Sequence, residues 1–365
     1  MNITSITDLI KLLDQIKAPP KGYTRFFRGH SNFKWEIEPS IYRKNNNSKN
    51  TLLIKNEDKI IRDVIINSPD DFSDKDSLFS ILVKLQHYGY PTRLLDLTTN
   101  ALVALYFSAT KQDNNDGELI VFDIPNDEIK YFDSDTVSIL SALSLRNCDF
   151  NINGFKLFSK ITSLFKKLEM IQKYRAEANV VPISETLFSL TSSINFKNEN
   201  TLHFSESEIL KIENMISVLL KEEKISGLYL KAIAEEEQKA YIETFNSQPE
   251  ISRLLHDIRK DKPSFLPKII PQDLEKVICV KPKMNNKRII RQQGAFLLFG
   301  INASKKNKAK LNEDWIRKDI EGEKIIITKE HKQDILNELK IFGISKKTLF
   351  PELESQAEEI LSIYK

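Results

Sequence analysis

Two cysteines in 365 residues, Cys148 and Cys279, are too few for a disulfide framework, and no Cys/His spacing matches a zinc site. Phosphate-cradling glycine loops, the G-x-S-x-G nucleophile elbow and the H-E-x-x-H pair are also missing, so three large enzyme classes have no signal here. The longest apolar run falls far short of the ~20 residues of a membrane span. The N-terminus lacks a basic region with a following cleavage site, and the expectation is a cytoplasmic protein with no membrane partner. Charge of one sign is scarce too. The formal net charge is +3, so composition does not demand a nucleic-acid partner. Few glycines beside many Lys, Asn and Ile reflect an AT-rich bacterial coding background, which is a bias and not a function.

What is present is ordinary soluble-protein material, 41% hydrophobic and 29% charged, enough for one large domain or two smaller ones. Residues 86–109 hold the densest group of candidate site residues. Their second half, 100–109, is almost unbroken apolar sequence, and Thr98 or Thr99 is placed to cap a helix there. A helix apolar all round must be buried. The first half, stiffened by Gly89 and Pro91, reads as a loop carrying His87, Thr92, Arg93, Asp96, Thr98 and Thr99. Polar groups held at the end of a rigid element are suited to binding. Arg93 and Asp96, three apart, most simply pair with each other or with nearby backbone, and His87 most simply caps or satisfies a helix end.

Along the chain, apolar spacing predicts a helix over 5–17 that stops at Pro19-Pro20. Residues 23–27 read as a short strand delivering Arg28 and Gly29 at its end. Arg28 either forks onto a phosphate or carboxylate ligand, or ties the fold to a buried Asp. Gly29, without a Cβ, admits a ligand or another backbone. Residues 45–50 read as a polar loop, 52–67 and 76–87 as helices, and 118–124 as a strand. The character changes over 127–262, where amphipathic stretches at 137–145, 155–174, 206–222, 227–245 and 249–258 predict a helical insertion adding few strands. Glu235 to Glu237 read as a solvated helix face, and Lys166-Lys167 and 305–310 as solubilising surface. Strands are expected at 276–281, 295–299 and 323–328, with a polar basic segment over 285–294. Helices at 330–342 and 353–364 close the chain, with Gly343 as a C-cap. Widely separated strands among many helices give an α+β fold with a small mixed or antiparallel sheet and a large helical insertion. The domain limits read as 1–126, 127–262 and 263–365.

The segments Phe27-Arg28-Gly29-His30, Pro39-Ser40-Ile41-Tyr42-Arg43, Leu85-Gln86-His87-Tyr88-Gly89 and Pro91-Thr92-Arg93-Leu94-Leu95-Asp96 resemble the signature of the FRG-domain family. Ala104-Leu105-Tyr106-Phe107, Arg288 with Gln293-Gly294-Ala295-Phe296, and Leu349-Phe350-Pro351-Glu352-Leu353 extend the resemblance in the same order. The motif order is similar to that of the ADP-ribosyltransferase fold. The resemblance implies an ADP-ribosyltransferase-like core that binds NAD as substrate, with no metal. Arg28-Gly29-His30 would hold the pyrophosphate or ribose, and Thr98, Thr99 or Tyr106 the nicotinamide. His87, Thr92, Arg93, Asp96 and Arg288 are further substrate-binding candidates, and Arg28, Thr98 and Gln293 the catalytic ones. The third position departs from the pattern, because Gln293 stands where a Glu is expected, and an amide cannot supply the negative charge. ADP-ribosyl transfer or NAD cleavage, in a phage-defence or toxin effector, is one implied function. The alternative is a non-catalytic nucleotide- or protein-binding module whose inserted helices contact a protein partner. Either way, 27–29, 92–99 and 288–294 are expected to converge on one cleft.

Overall fold

Alternation along Tyr23–His30 sends Phe26 and Phe27 to opposite faces of one strand. Both are buried, so the strand lies inside a sheet covered on its two sides. The computed structural model describes residues 2–43, 53–110, 114–177, 206–222, 227–319 and 321–353, with 357 and 361. The polar loop expected at 45–50 and almost all of the helix expected at 353–364 lie outside these. The described residues fall into two compact units, 1–148 with 275–302 and 306–365, and 149–274 with 303–305.

The first unit is a mixed α/β layer structure. Its strands are β1 (Asn2–Ile3), β2 (Tyr23–His30), β3 (Leu94–Thr98), β4 (Gly117–Pro125), β5 (Ile129–Tyr131), β6 (Val277–Lys281) and β7 (Gly294–Phe299), followed by Ile316–Arg317 and Ile325–Ile327. They form one nine-stranded sheet in the order β1, Ile325–Ile327, β4, β2, β3, β7, β6, β5, with Ile316–Arg317 also on β4. Pairing is antiparallel except at the two ends, where β1 runs parallel to Ile325–Ile327 and β5 to β6. The sheet is therefore mixed but large, where a small one was expected.

Among the described residues before 149 there are five α-helices: α1 (Ile6–Gln15), α2 (Glu57–Asn67), α3 (Leu78–His87), α4 (Ala101–Ala109) and α5 (Asp135–Ala142). The apolar run is buried as α4, with Val103, Ala104, Leu105 and Ala109 wholly out of solvent. Neither threonine caps it. Asn100 is the N-cap, its side-chain oxygen accepting from the Leu102 N–H, while Thr98 ends β3. The loop expected over 92–99 is thus mostly a strand, because pairing with β2 and β7 satisfies its backbone. β2 likewise runs on through Arg28 and Gly29 to His30, held by eight register pairs with β4. The basic segment after β6 contains a helix, Lys287–Gln292, ended by Gln293 in the left-handed conformation (φ 48°).

Gly29 is required by packing. A Cβ there would stand 2.0 Å from the Ala104 carbonyl oxygen and 2.6 Å from the Ser108 nitrogen, so β2 and α4 meet backbone to backbone. The close approach expected at this glycine is made by the chain itself.

The second unit is built on the helices Asn153–Glu177, Glu206–Glu222, Gly227–Ser247 and Pro249–Asp261, with Ile161, Leu164, Leu168, Ile171, Ile209, Ile216 and Ile233 as its core. Among the described residues of 127–262, the sheet receives only the three-residue edge strand β5. The helix α5 packs on α3 and β7, so the helical unit begins at Asp149 and ends at Leu274, inside and beyond the limits of 127 and 262 read from composition. The Glu235–Glu237 run is not uniformly solvated, since Glu237 bridges Lys160 and Lys167. Nor is the 305–310 run all surface, since Lys305 is fully buried and Lys308 pairs with Glu38. No helix among the described residues is long and apolar enough to cross a membrane.

Candidate ligand cleft

Thr92 is the first fixed point of the site. It is buried, and its hydroxyl accepts from the Leu94 N–H while donating to Gln86 Oε1 at 2.7 Å. That bond decides which way the Gln86 amide points, and its Nε2 then donates to Asp96 Oδ2 at 2.9 Å. Asp96 stands on the face of β3 away from the buried Leu95 and Leu97, its side chain 56% exposed. It does not pair with Arg93, as was expected. Arg93 is fully buried, forks onto both carboxylate oxygens of Glu57 and donates to the Phe299 carbonyl. Asp96 faces Arg28 instead, 3.9 Å from its Nη1.

Arg28 reaches the same place from β2. Its Nη1 donates to the Asp96 carbonyl at 2.7 Å and its Nε to His30 Nε2 at 2.9 Å. Burial lowers its pKa to about 10, Asp96 opposing and Arg43 adding to the shift, so the group stays charged near neutrality. His30 is 1% exposed, and accepting at Nε2 places its proton on Nδ1. That Nδ1 has no hydrogen-bond partner, the Glu118 carboxylate being 3.9 Å away. Burial, against the pull of Glu118, pushes the His30 pKa down to about 4.

Arg288 comes from the Lys287–Gln292 helix. Its Nη1 donates to the His87 carbonyl at 3.0 Å, and its guanidinium lies 4.5 Å from the centre of the Phe350 ring. Burial lowers its pKa too, with Asp96 and Glu352 opposing. Arg28, Arg288, Asp96, Gln86, Thr98 and Gln292 line a cavity of about 170 Å³, whose remaining wall is Phe27, Gly29, Leu97, Val103 and Phe107. Two strands and three helices thus converge on a pocket with two cations, one carboxylate and an apolar aromatic side. Thr98 is already committed, donating to the Gln292 carbonyl and accepting from the Asn100 N–H. The Nη2 groups of both arginines have no acceptor among the described residues, and those N–H groups can serve a ligand.

Arg28, Gly29, Asp96, Thr98 and Arg288 therefore meet in one pocket. His30, Thr92 and the His87 carbonyl support it from behind. Gln293 does not line it: the exposed amide accepts from Thr99, 3.3 Å away, outside the cavity. The left-handed turn at Gln293 presents Gln292 to the pocket and moves its neighbour aside. Tyr106 lines a different cavity, with Leu336, Ile344 and Phe350. The His87 ring belongs to a third groove, of about 240 Å³, and pairs with Glu352 at 3.0 Å. Sequence reasoning passed over Gln86 and Gln292 as site residues. A polar side chain in the last turn of a mostly buried helix was the signal for Gln86, whereas the helix of Gln292 buries only Ile289 and gave no such signal. Among the described residues, no three His, Cys, Asp or Glu side chains are placed to share a metal ion.

These features define a mixed α/β unit with an arginine-lined cleft between a central sheet and its covering helices. Residues 24–117 match the family model of the FRG domain, which identifies that domain from β2 to the start of β4. The match includes Arg28, Gln86 and Asp96 and stops short of Arg288. No curated protein and no solved structure matches the chain.

Proposed function

We propose that the cleft binds an anionic nucleotide of the NAD class. The observation that carries this is the pair Arg28 and Arg288, which present unused N–H donors in one cavity that Phe27, Val103 and Phe107 also line. Charged donors suit phosphate oxygens, and the apolar wall suits a flat ring. At about 170 Å³ the cavity is below the ~300–1,000 Å³ of sites that enclose a whole drug-sized ligand. It accommodates a ring–sugar or sugar–phosphate portion, with the rest of the nucleotide lying over the rim. Calorimetric titration with NAD tests this. Arg28→Ala should weaken binding ~10- to 150-fold, the equivalent of ~1.5–3 kcal/mol for a charge-assisted contact. Unchanged affinity in that variant would remove the reading.

A second, catalytic reading rests on Asp96. Its carboxylate supplies inside the cavity the negative charge that Gln293 lacks, and a carboxylate beside a ribose stabilises an oxocarbenium-like transition state. Cleavage of the nicotinamide–ribose bond, or ADP-ribosyl transfer, is the activity this supports, and NAD depletion in phage defence or toxicity is the role such an activity fits. Nicotinamide release from NAD is the assay. Asp96→Asn should keep binding and lose release, whereas saturable binding with no release from the wild type favours a non-catalytic binding module.

A further inference from the structure

The segment Leu349-Phe350-Pro351-Glu352 was singled out by sequence and touches Arg288 and His87 without lining the cavity. It lies against the helix that carries Arg288. Arg291 donates to the Thr348 carbonyl at 3.1 Å and Gln292 to the Leu349 carbonyl at 3.2 Å. Arg288, Arg291 and Gln292 are three and four residues apart, so one face of the helix makes every contact. The Phe350 ring stands between two groups of the cleft, 4.5 Å from the Arg288 guanidinium and edge-to-face with Phe107 at 6.0 Å. Phe350 itself does not line the cavity. Past it, Glu352 pairs with the His87 ring, while the His87 carbonyl holds the other side of Arg288.

We infer that Phe350 is a positioning residue: its ring face, tied down by 348–352, holds the Arg288 guanidinium toward the ligand cleft. A platform under its planar group and a fixed acceptor together take rotamer freedom from an arginine. Phe350 is the platform and the His87 carbonyl is the acceptor. The segment thereby acts on the anion through Arg288 without touching it. This rests on the reading of the cleft as an anion site, and it assigns a task to a residue about 230 positions beyond the matched FRG domain.

The test is a double-mutant cycle on the full chain, with inorganic pyrophosphate as the probe, read by calorimetry at several salt concentrations. Relaxation of the arginine Nε signals by NMR adds a readout that needs no ligand. Phe350→Ala should weaken pyrophosphate about 3- to 10-fold, lessen its salt dependence and mobilise the Arg288 Nε, in line with loss of a partly desolvated cation–π contact. Phe350→Trp should restore all three. On an Arg288→Ala background, Phe350→Ala should change nothing further. Should Phe350→Ala not fold, Phe350→Leu keeps the apolar contact with Phe107 and removes only the ring face. An equal loss with and without Arg288, or a rigid Arg288 Nε in the Phe350 variants, overturns the inference while leaving the anion site intact. Wild-type affinity in both Arg28→Ala and Arg288→Ala is a different result, and it ends the anion-site reading with the inference that depends on it.

Discussion

A buried histidine with one ring nitrogen bonded to an arginine and the other bonded to nothing has a pH-dependent cost. The His30 pKa is about 4 in the fold, lowered chiefly by burial, against the ordinary 6.5 of an unfolded chain. The fold therefore favours the neutral ring. The associated stability is fully present above pH 6.5 and is lost as pH falls toward 4, by at most about 3 kcal/mol. A protonated ring also cannot accept from Arg28 Nε, so acid loosens the cleft as well as the fold. Urea unfolding at pH 7.5 and pH 4.5 measures the loss. His30→Gln, which keeps an acceptor but does not titrate, should flatten the difference.

The contact of β2 with α4 sets the back of the cleft, since α4 carries Val103 and Phe107. Gly29→Ala places a methyl 2.0 Å from a backbone oxygen, and backbone cannot swing aside. The two elements must part, at a cost of about 1–3 kcal/mol or more. The variant should melt lower and bind ligand more weakly even where it stays folded. Gly154→Ala, with nothing within 4 Å, is the control and should leave both measurements unchanged or slightly raise stability. Helices of this kind were legible in the sequence, because α4 is set by an apolar run and α3 by local spacing. The strand β3 was not. Leu-Leu-Asp-Leu-Thr carries little periodicity in five residues, and what makes it a strand is β2 on one side and β7 on the other. Distance in sequence hid the partners of charged residues in the same way. Arg93 stands three residues from Asp96 and 36 from Glu57, and the fold chooses Glu57. The helix Lys287–Gln292 was missed through its length, and that single turn and a half exchanged Gln293 for Gln292 as the residue at the pocket.

The cluster of Ile161, Leu164, Leu168, Ile171, Ile209, Ile216 and Ile233 lies within the helical unit. Two compact units are expected to give two transitions in calorimetric melting. Glu57→Ala leaves the Arg93 guanidinium buried without its carboxylate, a change that costs about 3–5 kcal/mol in such pairs. It should lower one transition and leave the other in place, and a single transition moving as a whole would show the units to be one cooperative block. The same layout sets a timetable for synthesis. In the sheet Leu94 pairs with Leu298, so the central strand β3 must wait for a neighbour roughly 200 residues downstream. At about 5–20 residues per second, that is ~10–40 s during which β2 and β3 have been made and β7 has not. For that interval the growing chain exposes an unpaired strand edge rich in leucine, open to wrong pairing. The protein's need for chaperones should therefore be greatest while it is still on the ribosome, and should depend on how fast the helical unit is translated.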